Sequence, residues 1–155
     1  MDRLFVEGAV NAAETGQGPP LVLLHSLLSD RASFDAVVTP LARAFRVIVP
    51  ELPGFGGSRA VDGGLAAVAD RIAELVREVA GNAGAAVLGN GYGGFVALQM
   101  VIRHPTVATR LVLADSGAAF SEAGREAFRE SGSTARLRRA RLRRPALWEI
   151  GRAHV

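Results

Sequence analysis

The hexapeptide Gly89-Asn90-Gly91-Tyr92-Gly93-Gly94 lies between an apolar run, Ala85-Ala86-Val87-Leu88, and a helix-like run from Phe95 to Ile102. A strand, a glycine-rich turn and a buried helix form the setting in which the pattern G-x-S-x-G exposes a serine for acyl transfer. The same five positions here read G-N-G-Y-G, with Gly91 in the nucleophile's place. Attack by this route needs a side-chain hydroxyl activated by a nearby base, and glycine has none. A residue with a side chain at such a corner is strained by about 1–3 kcal/mol, whereas glycine enters positive φ without a clash. Two readings of Gly91 follow. It is a relaxed turn without chemistry, or the floor of a pocket that acts on its ligand without an acyl-enzyme.

Other reactive side chains are few. Ser26, Ser58 and Ser116 fall at strand ends or in loops, and the sequence places no evident base beside any of them. The three histidines, His25, His104 and His154, stand in unlike contexts that do not suggest a metal site. There is no cysteine, which excludes disulfides and thiolate metal sites. No cofactor or metal is expected.

The elements that must position these groups follow from hydrophobic patterning. Arg3 to Val10 with Asn11 to Thr15 reads as a first hairpin, and Gly16-Gln17-Gly18-Pro19-Pro20 as a turn. Leu21 to His25 and Phe45 to Val49 are continuous apolar runs, expected of strands buried on both faces. Between them Phe34, Val37, Val38 and Leu41 recur at helical spacing, with Ser33 as the expected cap and Pro40 predicting a kink or break near Thr39. Leu65, Val68, Ile72, Leu75, Val76 and Val79 line one face of a longer helix. Pro105 ends the helix after the glycine turn, and Arg110 to Asp115 is the last strand. Alternating strands and helices predict an α/β fold: a mostly parallel sheet of about six strands, helices on both faces, three layers.

With these pieces in order, the chain resembles the N-terminal half of an α/β-hydrolase. Leu23-Leu24-His25-Ser26 resembles the family's oxyanion loop, and Glu51 to Ser58 resembles its D-x-x-G-x-G-x-S segment. The glycine turn and the stretch from Arg103 to Asp115 complete the likeness, which covers roughly residues 3 to 130. The loop His25-Ser26-Leu27-Leu28 and the run from Ala118-Ala119-Phe120 onwards look most like those of oxoadipate enol-lactonases and related small esterases. The resemblance implies oxyanion donors at the backbone N–H groups of Leu27 and Tyr92, with His25 and Ser26 shaping the same loop. It puts serine where Gly91 stands, so the nucleophile does not carry over. Asp115 occupies a position at which a few relatives place the catalytic acid. The family's usual acid and base would lie beyond this chain, which is expected to be a truncated member lacking a triad. Its parent would act on small esters or lactones; the alternative is a ligand-binding or lyase-like member.

Charge is distributed unevenly. Residues 1–135 hold 11 Arg against 14 Asp and Glu, whereas residues 136–155 hold 7 Arg against one Glu. Arg136 to Arg144 carries six Arg in nine positions without aromatic interleaving, so nucleic acid is not an expected partner. A solvated helix, or GC-rich DNA read out of frame, accounts for it better. Ile150 to Val155 matches one reading frame of a common sequencing adaptor, so the expected division is a hydrolase-like segment at 1–130 and an Arg-rich tail at 131–155, adaptor-derived at 150–155. No stretch is long and apolar enough to span a bilayer. The expected setting is cytoplasmic, with a small-molecule partner and no membrane.

Overall fold

The computed structural model describes residues 1–116, so the run from Ala118, the boundary at 130, the Arg-rich tail and His154 lie outside the described residues. Six strands form one sheet in the order β1-β2-β4-β3-β5-β6. β1 (Asp2–Phe5) and β2 (Val10–Thr15) form the expected hairpin, and β2 runs antiparallel to β4 (Arg46–Pro50). From there the sheet is parallel through β3 (Pro20–Leu24), β5 (Ala85–Asn90) and β6 (Ala108–Ala114).

Alternation along the central strands separates two apolar layers. Val22, Leu24, Ile48 and Val87 face α2 (Gly64–Ala80) and α3 (Tyr92–Arg103), meeting Val68, Ile72, Leu75, Val76, Val96 and Met100. Leu21, Leu23, Val47 and Val49 face the other way, onto Phe34, Val38 and Leu41 of the segment between β3 and β4. Successive residues of a strand point to opposite faces, so an unbroken apolar run needs a cover on each side. The helices provide it, and the three-layer arrangement is the one the pattern predicts.

The first helix departs from expectation. A 3-10 turn at Arg31–Phe34 leads into α1 (Asp35–Leu41), and the cap is Asp30, whose carboxylate accepts the Ala32 N–H at 2.8 Å. Ser33 instead turns back to donate to the Asp30 carbonyl at 2.7 Å. Pro40 sits inside the helix without ending it at Thr39. So close to the C-terminus its ring forfeits a single backbone bond, which a short final turn tolerates. Val37 is 44% exposed, so only part of the periodic stripe meets the core.

Chain order positions the site. β3 is followed across α1 by β4 on one side of it, while β5 lies on the other side and is followed by β6. The loops leaving β3 and β5 therefore diverge. A crevice at the carboxyl ends of strands opens where strand order reverses in this way, and ligands of open α/β sheets bind there.

Candidate functional site

Gly91 is the corner between β5 and α3, with φ 54° and ψ −117°. Both faces of its peptide are tied down. Its N–H donates to the Ala114 carbonyl at 2.9 Å, and its carbonyl accepts from the Gly94 N–H at 3.0 Å. The Ser116 hydroxyl lies 2.9 Å from that carbonyl and 2.9 Å from the Ala114 carbonyl, so its one proton is shared between them. The corner is thus held in a positive-φ conformation at a residue without a side chain. Gly93 answers to space: a Cβ there would run into the carbonyls of Leu24 and His25, so α3 can start this close to β3 only without one. Asp115 lies at the adjoining corner, exposed, with φ 49°, a conformation that aspartate tolerates better than most residues.

The facing loop follows β3. His25 is fully buried. Its Nδ1 donates to the Ser26 carbonyl at 2.9 Å, its Nε2 accepts the Leu52 N–H at 3.0 Å, and the Phe55 ring meets it edge-on at 5.0 Å. With a carbonyl opposite one nitrogen and an N–H opposite the other, the tautomer is fixed with the proton on Nδ1. Both nitrogens are spent on holding two loops, so His25 shapes the crevice from beneath. Ser29 closes the turn, accepting the Ser26 N–H at 3.1 Å and donating to the Ser26 carbonyl at 3.2 Å. Leu27 is half-buried at the bend, and among the described residues its N–H has no hydrogen-bond partner.

The two loops meet at Ser26. Its Oγ accepts the Tyr92 N–H at 3.4 Å. A Cβ built on Gly91 would lie 3.0 Å from Ser26 Cβ and would overlap Ser26 Oγ. Ser26, Gly91 and Tyr92 are therefore in one place, with Leu27 next along the loop. The Tyr92 ring packs half-buried against the core, and desolvation raises its phenol above the ordinary value of 10.0.

The other candidates serve elsewhere. Ser58 is buried, donating to the Glu51 carbonyl at 2.7 Å and accepting the Asn11 N–H at 2.9 Å. The Glu51 carboxylate accepts from Asn11 Nδ2 at 3.1 Å and from the Gly57 N–H at 2.7 Å, which stiffens the loop after β4. His104 lies between Asp70 at 2.7 Å and Arg77 at 2.9 Å, on the α2–α3 side. Among the described residues no group of His, Asp and Glu is arranged to hold a metal. A cavity of about 330 Å³ lies elsewhere, lined by Asp2, Thr15, Arg31, Asp35, Val38 and Val49 among others. Ser116 was legible only as a spare hydroxyl; nothing in the sequence marked it as a partner of the Gly91 carbonyl.

Comparison with known proteins agrees with this fold. The family described as alpha/beta hydrolase fold matches residues 19–149. A pimeloyl-[acyl-carrier protein] methyl ester esterase from Aeromonas hydrophila subsp. hydrophila is 34% identical over 115 residues, which cover 72% of this chain and 43% of the relative. The magnesium-chelatase 30 kDa subunit of Rhodobacter capsulatus is 38% identical over 91 residues, covering 57% of this chain and 32% of the relative. Among solved structures, a thermophilic esterase from Thermogutta terrifontis superposes with a TM-score of 0.71 at 29% identity, covering 84% of this chain and 51% of that one. The chain thus spans about half or less of the length of these proteins. No helix among the described residues is long and apolar enough to cross a membrane. By its sequence match and its fold, the chain belongs to the α/β-hydrolase family.

Proposed function

We propose that the whole protein acts on, or binds, small ester or lactone ligands, and that the chain as written forms no acyl-enzyme. The observation that carries this reading is Gly91: the corner keeps the geometry that presents a nucleophile, and no side chain stands on it. The donors implied for a developing oxyanion, the N–H groups of Leu27 and Tyr92, are main-chain and do not depend on the missing serine. Relatives named as esterases support a small-ester ligand. A second reading, binding or lyase-like chemistry without covalent attack, is favoured by the same corner and by His25, whose ring is committed to the loops.

A fluorophosphonate probe tests the reading directly. The wild-type chain should remain unlabelled by mass spectrometry, because phosphonylation needs an activated hydroxyl. A phosphonylated serine in wild-type protein would overturn it. Hydrolysis of an activated ester by Gly91→Ser combined with Ser26→Gly, and not by wild type, would separate a hydrolase that has lost its nucleophile from a non-hydrolytic member.

A further inference from the structure

We propose that the cavity between β2 and the start of α1 is a binding site for a small organic ammonium, an amine cation on a short apolar body. It is separate from the crevice at Gly91, and sheet register together with helical spacing builds its walls.

On the sheet side, Asp2 lies opposite Ala13 in the β1–β2 pair, and Ala13 lies opposite Val49 in the β2–β4 pair. Residues directly opposite one another share a face, as do residues two apart along a strand. Asp2, Ala13, Thr15 and Val49 therefore present their side chains to the face that α1 covers. From the other side, Arg31, Asp35 and Val38 recur at steps of four and three residues, which place them along one flank. The two sets line one cavity of about 330 Å³. Small-molecule sites span about 300–1,000 Å³. The space is left because β2 offers only Ala13 and Thr15 here, whereas β3 and β4 fill the same layer with Leu21, Leu23 and Val47.

Charge selects the ligand. Nη1 and Nη2 of Arg31 donate to the two carboxylate oxygens of Asp2 at 3.0 and 2.8 Å, and its Nε lies 3.7 Å from Glu51. The fork that would grip an incoming carboxylate is thus already filled. Nearby acids are committed as well, Glu14 to Arg3 and Arg46, and Asp30 to the Ala32 N–H. Asp35 differs from them. It lines the cavity, and among the described residues its carboxylate has no hydrogen-bond or ion-pair partner. Asp2, Glu51 and Asp35 against the single Arg31 leave this group net negative, so an anion is repelled and a cation attracted. An ammonium at Asp35 can also donate to the Thr15 hydroxyl, and its apolar body then lies on Ala13, Val38 and Val49. No bond is made or broken.

The test is calorimetric titration of the full 155-residue chain with phenethylammonium at neutral pH. Phenethyl alcohol and hydrocinnamate serve as the neutral and anionic analogues. The amine should bind with a Kd on the order of 1 mM, and both analogues at least roughly threefold more weakly. Asp35→Asn should weaken amine binding roughly threefold and reduce its sensitivity to added salt. Asp35 is exposed, so this variant should fold as wild type does. Ala13→Leu fills the floor and should abolish binding, with circular dichroism checking its fold. If Asp35 serves only as a favourable negative charge in the first turn of α1, Asp35→Asn will bind the amine as tightly as wild type, and that result overturns the proposal. Hydrocinnamate binding as tightly as the amine, or no amine binding up to about 10 mM, would overturn it equally.

Discussion

The Leu52 N–H donates to Nε2 of His25 at 3.0 Å, and this bond ties the loop after β4 to the loop after β3. Both residues are fully buried. An N–H stranded in such a place costs about 1–3 kcal/mol. His25→Ala should therefore destabilise the fold by about 3 kcal/mol, since the missing ring also leaves a cavity beside Phe55. Urea titration of both proteins measures the difference. A loss below about 1 kcal/mol would mean that the ring does not hold the two loops together.

Gly93 lies against backbone that cannot yield. A methyl group there would strike the Leu24 carbonyl, which belongs to the central strand β3. Gly93→Ala is expected to cost about 3 kcal/mol or more, the upper range for overpacking. It should lower the melting temperature more than any alanine substitution on the exposed face of α2. Thermal melts followed by circular dichroism decide the ranking.

Positions 26 and 91 should be energetically coupled. Gly91→Ser alone forces the Ser26 hydroxyl out of its place, whereas the same change in a Ser26→Gly background meets open space. A double-mutant cycle should give a coupling of about 1 kcal/mol in favour of the pair. Strict additivity would show that the two side chains do not compete.

Asp70 links stability to pH. Hydrogen bonds from Arg103, at 2.8 and 2.7 Å, and then from His104 hold its carboxyl well below the usual carboxylate range. A carboxylate whose folded pKa is depressed contributes stability above its ordinary value, here 3.8, and that contribution is lost as pH falls toward the folded value. The melting-temperature gap between wild type and Asp70→Asn should hold steady from neutral pH down to about pH 5. It should then close progressively below 3.8. A gap independent of pH down to about pH 2 would contradict the assignment.

Tyr92 is the chain's single tyrosine, so its ionisation can be read from tyrosinate absorbance without interference. Burial raises its phenol above 10.0. The folded protein should titrate above that value and the urea-unfolded protein close to it. Because the native state retains the proton longer, stability should fall as pH rises through the unfolded value. Coincident titration curves would place the phenol in water.

Much of this fold is written in local pattern. Continuous apolar runs such as Leu21–Leu24 declare strands covered on both faces, and the spacing of Val68, Ile72, Leu75 and Val79 declares the buried stripe of α2. The first helix shows where pattern is weaker. Asp30 and Ser33 are both good capping residues, and only the backbone path of the 3-10 turn selects Asp30.

The absence of a hydroxyl at position 91 is a property of the sequence alone, because no fold can give glycine a side chain. The relationship between Gly91 and the residues around it is of another kind. Ser26 and Tyr92 stand 66 residues apart, and they meet because β5 pairs with β3 although β4 intervenes along the chain. Strand order in a sheet is decided by how crossovers pack onto a twisted surface, and single-residue patterning does not encode it. For the same reason Ser116 is one hydroxyl among several in the sequence. It bridges the Gly91 and Ala114 carbonyls only when β6 lies beside β5.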